Sequence, residues 1–230
     1  MKRKSNVRLP KYDERTVIVG STGSGKTALG LWLLSKRNFE NRTTIIIDHK
    51  IDDNIKKIKC KHLDINSRIP DDGGFYVLYP NTLKVSVKQN HIIDEKLTDI
   101  LWTIWERGNY LVYIDEGMMI NSNCPALKAL LTQGRSKNVE MIILTQRPVE
   151  VSRFIFSESD YLGLMRLNDP RDLDVIKKAF GVDLSAPMGE FHWRWLDRKK
   201  NTLTMLSPVP MPKQSVKEIN LKLHGLVRAL

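Results

Sequence analysis

Cysteine is scarce in this 230-residue sequence, which contains only Cys60 and Cys124. Two cysteines cannot form the disulfide framework of a small secreted domain, and they are too few to complete a zinc finger. No apolar run approaches the roughly 18 residues that a membrane-spanning helix needs, and no signal-peptide core follows the basic residues 2–4. We therefore expect a soluble protein of a reducing compartment, with no transmembrane segment.

The composition is that of a folded, basic chain. Hydrophobic residues make up 41% of it, which is too much for a disordered protein, and the length favours one enlarged domain over two. Lysine and arginine number 37 against 26 acidic residues, and the excess is concentrated in residues 1–15 and 190–230. A basic balance attracts polyanions, nucleic acid first and acidic membrane surfaces second. Charge alone leaves open whether such a partner is bound.

Short apolar runs alternate with helical periods along the first two thirds of the chain. The runs are rich in β-branched residues and apolar on both sides, as buried parallel strands are: 17–19, 44–47, 75–78, 111–114 and 141–144. Helical spacing appears between them at 93–105 and 125–131. This alternation predicts an α/β fold with a mostly parallel central sheet and helices on both of its faces.

The last third of the sequence changes pattern. A strand at 161–167 and a helix from Asp169 to Phe180 precede two alternating runs, 191–196 and 202–206, which predict an antiparallel hairpin. A Pro-rich linker follows, and then an amphipathic helix that we expect to dock on the core or on a neighbouring subunit rather than on a membrane. The spacing of Ser215 and Glu218 predicts a capping box at its start.

From these changes of pattern we predict three regions. They are a flexible basic arm at 1–14, an α/β core at 15–206, and the linker with its C-terminal helix at 207–230.

One segment matches the phosphate-binding pattern G-x-x-x-x-G-K-[ST] completely. It consists of Gly20, Ser21, Thr22, Gly23, Ser24, Gly25, Lys26 and Thr27. A β-run precedes it and a helical run follows, which is the context that this motif requires. The glycines let backbone amides converge on phosphate oxygens at the positive end of the helix. Lys26 would contact the β- and γ-phosphates of ATP, and the Thr27 hydroxyl would ligate Mg²⁺.

Two further strand ends carry polar side chains suited to hydrolysis. Asp115 and Glu116 follow the run 111–114, where Asp115 would hold Mg²⁺ and Glu116 would orient and deprotonate the attacking water. Gln146 follows the run 141–144 and would sense the γ-phosphate or the water. The alternative for Gln146 is a turn side chain that satisfies backbone groups before Pro148. An acidic pair of this kind favours a hydrolysing motor over a slow switch.

The block 134–148, with its Gly134-Arg135 step and its Thr145-Gln146-Arg147-Pro148 end, resembles the FtsK–HerA superfamily of DNA-pumping ATPases. Three flanking segments are similar to further family motifs: 47–50, where His49 replaces the usual proline, 168–172 and 186–191. The likeness covers roughly residues 15–206. It implies a RecA-like fold and a ring, usually hexameric, with each nucleotide between two subunits.

The resemblance also implies roles for arginines. Arg135 would be the catalytic arginine that reaches the neighbouring subunit's γ-phosphate, and such a group is typically worth about 10³–10⁵ in rate. Arg171 is a second candidate, whereas Arg147 is expected to brace its turn.

The compact core most resembles the genome-packaging ATPases of viruses with an internal membrane. That likeness implies ATP-driven movement of viral double-stranded DNA into a preformed capsid, at the virion vertex or in the host cytoplasm. Capsid vertex or portal proteins are the partners that it implies.

Other interpretations remain open from the sequence. The same motor could serve a plasmid, a chromosome or conjugation, and a different class of protein, an ATP-binding assembly switch, would move no DNA. Trp193 and Trp195 suit either the core or a stacking platform for single strands. The lysines within 50–61 suit either a solvated loop or contacts to DNA phosphates.

Overall fold

The computed structural model describes residues 7–80, 90–184 and 186–228. Within these ranges, nine strands form a single sheet. They are β1 Arg15–Val19, β2 Thr43–Asp48, β3 Lys61–Asp64, β4 Phe75–Tyr79, β5 Tyr110–Asp115, β6 Glu140–Thr145, β7 Tyr161–Leu164, β8 Trp193–Asp197 and β9 Thr202–Leu206. Their order across the sheet is β3-β4-β2-β5-β6-β1-β7-β8-β9. All pairings among β1 to β7 are parallel, and the β8–β9 hairpin adds antiparallel to the β7 edge.

Helices cover both faces of this sheet, as the sequence predicts. They are α1 Lys26–Ser35, α2 Asn90–Arg107, α3 Pro125–Gln133, α4 Arg153–Ser157, α5 Pro170–Phe180 and α6 Pro212–Arg228. Successive strand residues point to opposite faces, so Val17 and Val19 pack with α2 and α3 while Ile18 packs with α1 and α6. The predicted fold class is confirmed.

Three strands differ from the sequence prediction, and one of them is β8, which spans Trp193–Asp197 rather than 191–196. β3 was not predicted, because its residues are mostly exposed and carry no continuous apolar run. β7 ends at Leu164 rather than at residue 167. Its partner β1 ends at Val19, and the amide of Ser21 then donates to the carbonyl of Arg166 at 2.8 Å, beyond the ladder.

The C-terminal helix begins earlier than its predicted capping box. α6 starts at Pro212, a residue whose fixed φ and missing amide suit the first helical turn. Ser215 and Glu218 therefore lie inside the helix, and the capping-box prediction is wrong. Ser215 is buried, while the Glu218 carboxylate accepts hydrogen bonds from Lys36 Nζ and Ser35 Oγ. These bonds tie α6 to the end of α1; residues 229–230 of the predicted helix lie outside the described residues.

Residues 7–14 pack against the core, so the prediction of a flexible arm is wrong for them. Val7 and Leu9 lie against the apolar cluster under α1 and α6, and Trp195 Nε1 donates to the carbonyl of Arg8 at 3.2 Å. Glu14 is 1% exposed and pairs with Arg8. Apolar residues interspersed among the basic ones explain the packing. Residues 1–6 of the predicted arm lie outside the described residues.

Within the described parts of the chain, no helix has both the length and the apolar character needed to cross a bilayer.

Candidate nucleotide-binding site

Three neighbouring strands end at one edge of the sheet and carry the predicted site. β6 lies between β1 and β5, and parallel strands share the direction of their carboxyl ends. The phosphate loop follows β1, Gln146 follows β6, and Asp115 ends β5. A hydrogen bond from the amide of Gly20 to the carbonyl of Thr145, 3.3 Å long, joins the loop to the end of β6. The topology therefore brings the three sequence motifs together.

The phosphate loop has the backbone that its glycines permit. Gly23 and Gly25 adopt φ angles of 74° and 100°, a region that L side chains rarely occupy. Lys26 is 7% exposed, and its Nζ donates to the carbonyl of Ser21 at 3.0 Å across the loop. Burial lowers the pKa of Lys26 to about 8, although the nearby Glu116 carboxylate opposes the shift. The ammonium group is thus held inside the loop, where phosphate would replace the carbonyl as its partner.

Asp115 has the environment of a cation ligand. It is 2% exposed, and burial raises its pKa to about 7, with Asp48 and Glu116 adding to the shift and Lys50 opposing it. Its Oδ2 atom is buried and accepts no hydrogen bond from the described residues. An unpartnered buried carboxylate oxygen near other acids is suited to a divalent cation.

Thr27, the second residue of α1, is partly exposed beside this edge of the sheet, so it and Asp115 fit the predicted Mg²⁺ ligands. Among the described residues there is no group of three or more histidine, cysteine or acidic side chains that could hold a metal ion. Mg²⁺ commonly binds through one or two protein ligands and the phosphates of a nucleotide, and the site matches that arrangement.

Glu116 is held in a defined and unusual position. Its backbone adopts a φ of 72°, which costs a non-glycine residue about 1–2 kcal/mol and is found most often at functional sites. Its Oε1 accepts a hydrogen bond from the amide of Gln146 at 3.1 Å, and its Oε2 forms an ion pair with Lys50 Nζ. The carboxylate, which is 3% exposed, therefore faces the end of β6.

Gln146 connects the acidic pair to the phosphate loop. Its backbone N–H donates a hydrogen bond to Glu116 Oε1, while its side-chain Oε1 accepts a hydrogen bond from the Thr22 hydroxyl at 2.6 Å. The side chain thus reaches across to the loop instead of satisfying the turn before Pro148. The structure brings Lys26, Glu116 and Gln146 to one place.

Arg135 lies at the amino-terminal ends of the parallel strands, opposite the carboxyl ends that carry the phosphate loop. It precedes β6, and its guanidinium donates to Asp160 Oδ1 at 2.6 Å and pairs with Asp13 at 3.6 Å. Asp160 immediately precedes β7, at the amino-terminal edge. Arg135 is therefore remote from the phosphate loop of its own chain.

The two other arginines lie nearer to the loop. Arg171, in the first turn of α5, is 71% exposed and pairs with Asp169. Arg147 forms ion pairs with Asp169 and Asp172, in agreement with the bracing role expected for it.

Sequence reasoning missed Lys50 as a partner of Glu116. The signal that could have revealed it is the position of Asp48, the last residue of β2. Asp48 lies opposite Asp115 in the register of the neighbouring strands β2 and β5. Asp48 accepts hydrogen bonds from the amides of Lys50, Ile51 and Asp52, and this turn directs Lys50 to Glu116. The side chain of Lys50 is 44% exposed, so solvent also reaches it.

Two ambiguous features of the sequence are also placed. Trp193 and Trp195 are 2% and 1% exposed and belong to the core, so they form no stacking platform. The lysines at 56, 57, 59 and 61 are exposed.

The fold and the site together define a P-loop ATPase of RecA-like architecture. The sequence matches no protein-family model. It is, however, 38% identical over 215 residues to the DNA packaging ATPase P9 of Enterobacteria phage PRD1, with 89% of this chain and 91% of P9 covered. The chain therefore belongs to the family of P9, the viral DNA packaging ATPases, and the resemblance noted in the sequence is confirmed.

Solved structures share the fold at lower sequence identity. The genome packaging NTPase B204 from Sulfolobus turreted icosahedral virus 2, in complex with ATP-gammaS, has a TM-score of 0.67 and 20% identity, covering 87% of this chain and 100% of B204. VirB4 of Thermoanaerobacter pseudethanolicus has a TM-score of 0.67 and 11% identity, covering 86% and 90% of the two chains. At these identities the likeness establishes the fold alone.

Proposed function

We propose that this ATPase drives viral double-stranded DNA into a preformed capsid. The observation that carries the proposal is the placement of Glu116 and Gln146 against a phosphate loop, in a chain that is related over nearly its whole length to a DNA packaging ATPase. A site equipped for repeated hydrolysis supports a motor rather than a passive nucleotide-binding subunit.

Each residue of the site has a chemical role in this proposal. Backbone amides of residues 20–27 and the ammonium of Lys26 bind the β- and γ-phosphates. Thr27 and Asp115 would hold Mg²⁺, which neutralises phosphate charge when it is bound. Glu116 takes a proton from the attacking water, and Gln146 links the state of the γ-phosphate to the loop through Thr22.

The position of Arg135 supports a ring. This arginine cannot approach its own phosphate loop, so its proposed catalytic role requires the site of a neighbouring subunit. We propose a homo-oligomeric ring, hexameric by the family resemblance, in which Arg135 leaves Asp160 to bind the neighbour's γ-phosphate. Arg171, which is exposed in the first turn of α5, is the competing candidate.

A mixing experiment tests this arrangement. Arg135→Ala and Lys26→Ala chains are each inactive alone if the arginine acts between subunits. In mixed rings, an intact Lys26 can meet a neighbour's intact Arg135, so part of the ATPase activity should return. Mixtures of Arg171→Ala with Lys26→Ala chains are the matched comparison, and recovery only in that comparison would assign the role to Arg171.

The basic surface supports DNA as the substrate. The net charge is +11, and the exposed lysines between residues 56 and 61 provide contacts for backbone phosphates. We place the working ATPase at the virion vertex or in the host cytoplasm, with capsid vertex or portal proteins as its partners.

The test of the motor is ATP hydrolysis with and without linear double-stranded DNA. DNA should stimulate the wild type, and Glu116→Gln should lower turnover by about 10²–10⁴ while ATP binding persists. Glu95→Gln, which changes an exposed carboxylate on α2, is the matched control and should behave as the wild type. A wild type as inactive as Glu116→Gln would contradict the motor. ATP binding with no DNA-dependent turnover would favour the assembly switch.

A further inference from the structure

Phe191 has an unusual backbone and an unusual exposure. It lies in the segment between α5 and β8, its φ is 55°, and bulky L residues rarely adopt this left-handed conformation. Its side chain is 48% exposed, and among the described residues it belongs to neither of the two apolar core clusters. Core packing therefore does not explain why the chain holds this ring where it is.

The ring lies over the end of the phosphate loop. Its Cδ1 atom is 3.3 Å from the position that a Cβ on Gly25 would occupy, and Met165 Cε is 3.2 Å from the same position. Gly25 directly precedes Lys26 and the start of α1. A Cβ at this position would crowd both side chains, and the φ of 100° at Gly25 separately disfavours a larger residue. Met165 is 1% exposed and belongs to a core cluster, so the exposed ring of Phe191 is the apolar surface beside an otherwise polar site.

We propose that Phe191 is the subsite for the base of the bound nucleotide. This inference rests on ATP binding at the phosphate loop. Loop amides and Lys26 take the phosphates, and the nucleoside then leaves the loop next to the start of α1, where the ring is. An exposed aromatic face stacks on a purine. The left-handed backbone at residue 191 holds the ring out of the core for this contact.

The same geometry assigns the ring to a nucleotide rather than to DNA. A base stacked on Phe191 lies beside Gly25 and the start of α1, the side on which the nucleoside of a bound nucleotide leaves the loop. DNA at this point would compete with ATP, which is incompatible with a motor that holds both.

The experiment compares binding of ATP with binding of inorganic tripolyphosphate, which has the phosphates but no base, by titration calorimetry. Stacking is worth about 1–3 kcal/mol per base, so Phe191→Ala should weaken ATP binding roughly 5- to 150-fold. Tripolyphosphate binding should remain unchanged. Phe191→Trp should restore ATP binding. Leu203→Ala, which removes an apolar side chain of 47% exposure on β9, should alter neither ligand.

Two results would overturn the inference: wild-type ATP affinity in Phe191→Ala, or equal weakening of ATP and tripolyphosphate, which would mean that the ring only shapes the loop. A failure of the proposed nucleotide site gives a different result. In that case Lys26→Ala would bind both ATP and tripolyphosphate as the wild type does. If Phe191→Ala does not fold, Phe191→Leu replaces it, since leucine keeps apolar bulk without an aromatic face. Binding of ATP and of tripolyphosphate to Phe191→Leu is then compared in the same way.

Discussion

Replacing Glu140 by alanine should lower the thermal midpoint of unfolding strongly, because its carboxylate is fully buried between two arginines. Oε1 accepts a hydrogen bond from Arg37 Nε at 2.5 Å, and Oε2 accepts one from Arg42 Nη1 at 3.0 Å. Arg37 follows α1, Arg42 precedes β2, and Glu140 begins β6. The triad therefore joins the end of the helix that follows the phosphate loop to two strands of the sheet.

The size of the effect follows from the burial of the partners. The side chains of Arg37 and Arg42 are 5% and 3% exposed, so Glu140→Ala leaves two buried positive charges without their counter-charge. Breaking a buried ion pair in this way costs about 3–5 kcal/mol. In a chain of this size each kcal/mol lowers the midpoint by about 2–4 °C, so the expected fall is about 6–20 °C. Arg42 keeps its hydrogen bond to the carbonyl of Tyr110, which moderates the loss.

The assay is thermal unfolding followed by circular dichroism. Glu95→Ala removes the same side chain from an exposed position on α2 and should change stability by no more than about 0.5 kcal/mol. A second variant tests whether the unpaired buried charges cause the loss of stability. It combines Arg37→Met, Arg42→Met and Glu140→Leu, which removes every charge of the triad, and it should be destabilised less than Glu140→Ala alone. A midpoint for Glu140→Ala within the range of the Glu95→Ala control would refute the argument.

Three further changes have expected outcomes. Gly30→Ala should lower the urea midpoint of unfolding, because its Cβ would lie 2.6 Å from the buried Tyr113 hydroxyl. Overpacking costs about 1–3 kcal/mol, which exceeds the gain of about 1 kcal/mol from the higher helix propensity of alanine. An unchanged midpoint would contradict this. Burial opposes ionisation of Asp160, but the Arg15 amide and Arg135 hold its pKa below its usual range, so it stabilises the fold above about pH 4 and the contribution is lost on acidification. Asp160→Asn should therefore be less stable than the wild type at pH 7, with a gap that narrows below about pH 4 in thermal melts; a constant gap would count against it. Leu223→Ala, at a buried position of α6 against the α1 face, should cost about 2–5 kcal/mol by urea unfolding, and a loss under 1 kcal/mol would mean that α6 does not dock there in solution.

Local patterns were sufficient for much of the fold and for most of the site. The strands β1, β2, β4, β5 and β6 are buried on both faces, so each is a continuous apolar run that can be recognised without its neighbours. The phosphate loop is equally local, since its glycines and Lys26 are consecutive. Asp115, Glu116 and Gln146 could be predicted as members of the candidate site because each follows such a run.

Features that depend on partners distant in the chain could not be predicted from the sequence. β3 pairs with β4 at the edge of the sheet, and its exposed residues have no apolar run of their own. Residues 7–14 carry two basic and two acidic side chains; Leu9 packs against a core cluster, and the buried Glu14 carboxylate pairs with Lys199, far along the chain. The start of α6 was misplaced because Glu218 binds Lys36 and Ser35 rather than its own helix end.

The sequence by itself predicted which residues make up the candidate nucleotide site, because these residues lie in short motifs at strand ends. Only the tertiary structure decided that Lys50 holds Glu116, that Arg135 faces away from the phosphate loop, and that Phe191 lies over Gly25. The physical reason is that ion pairs and side-chain contacts depend on distances of a few ångströms. For residues far apart in the chain, the order of strands in the sheet sets those distances.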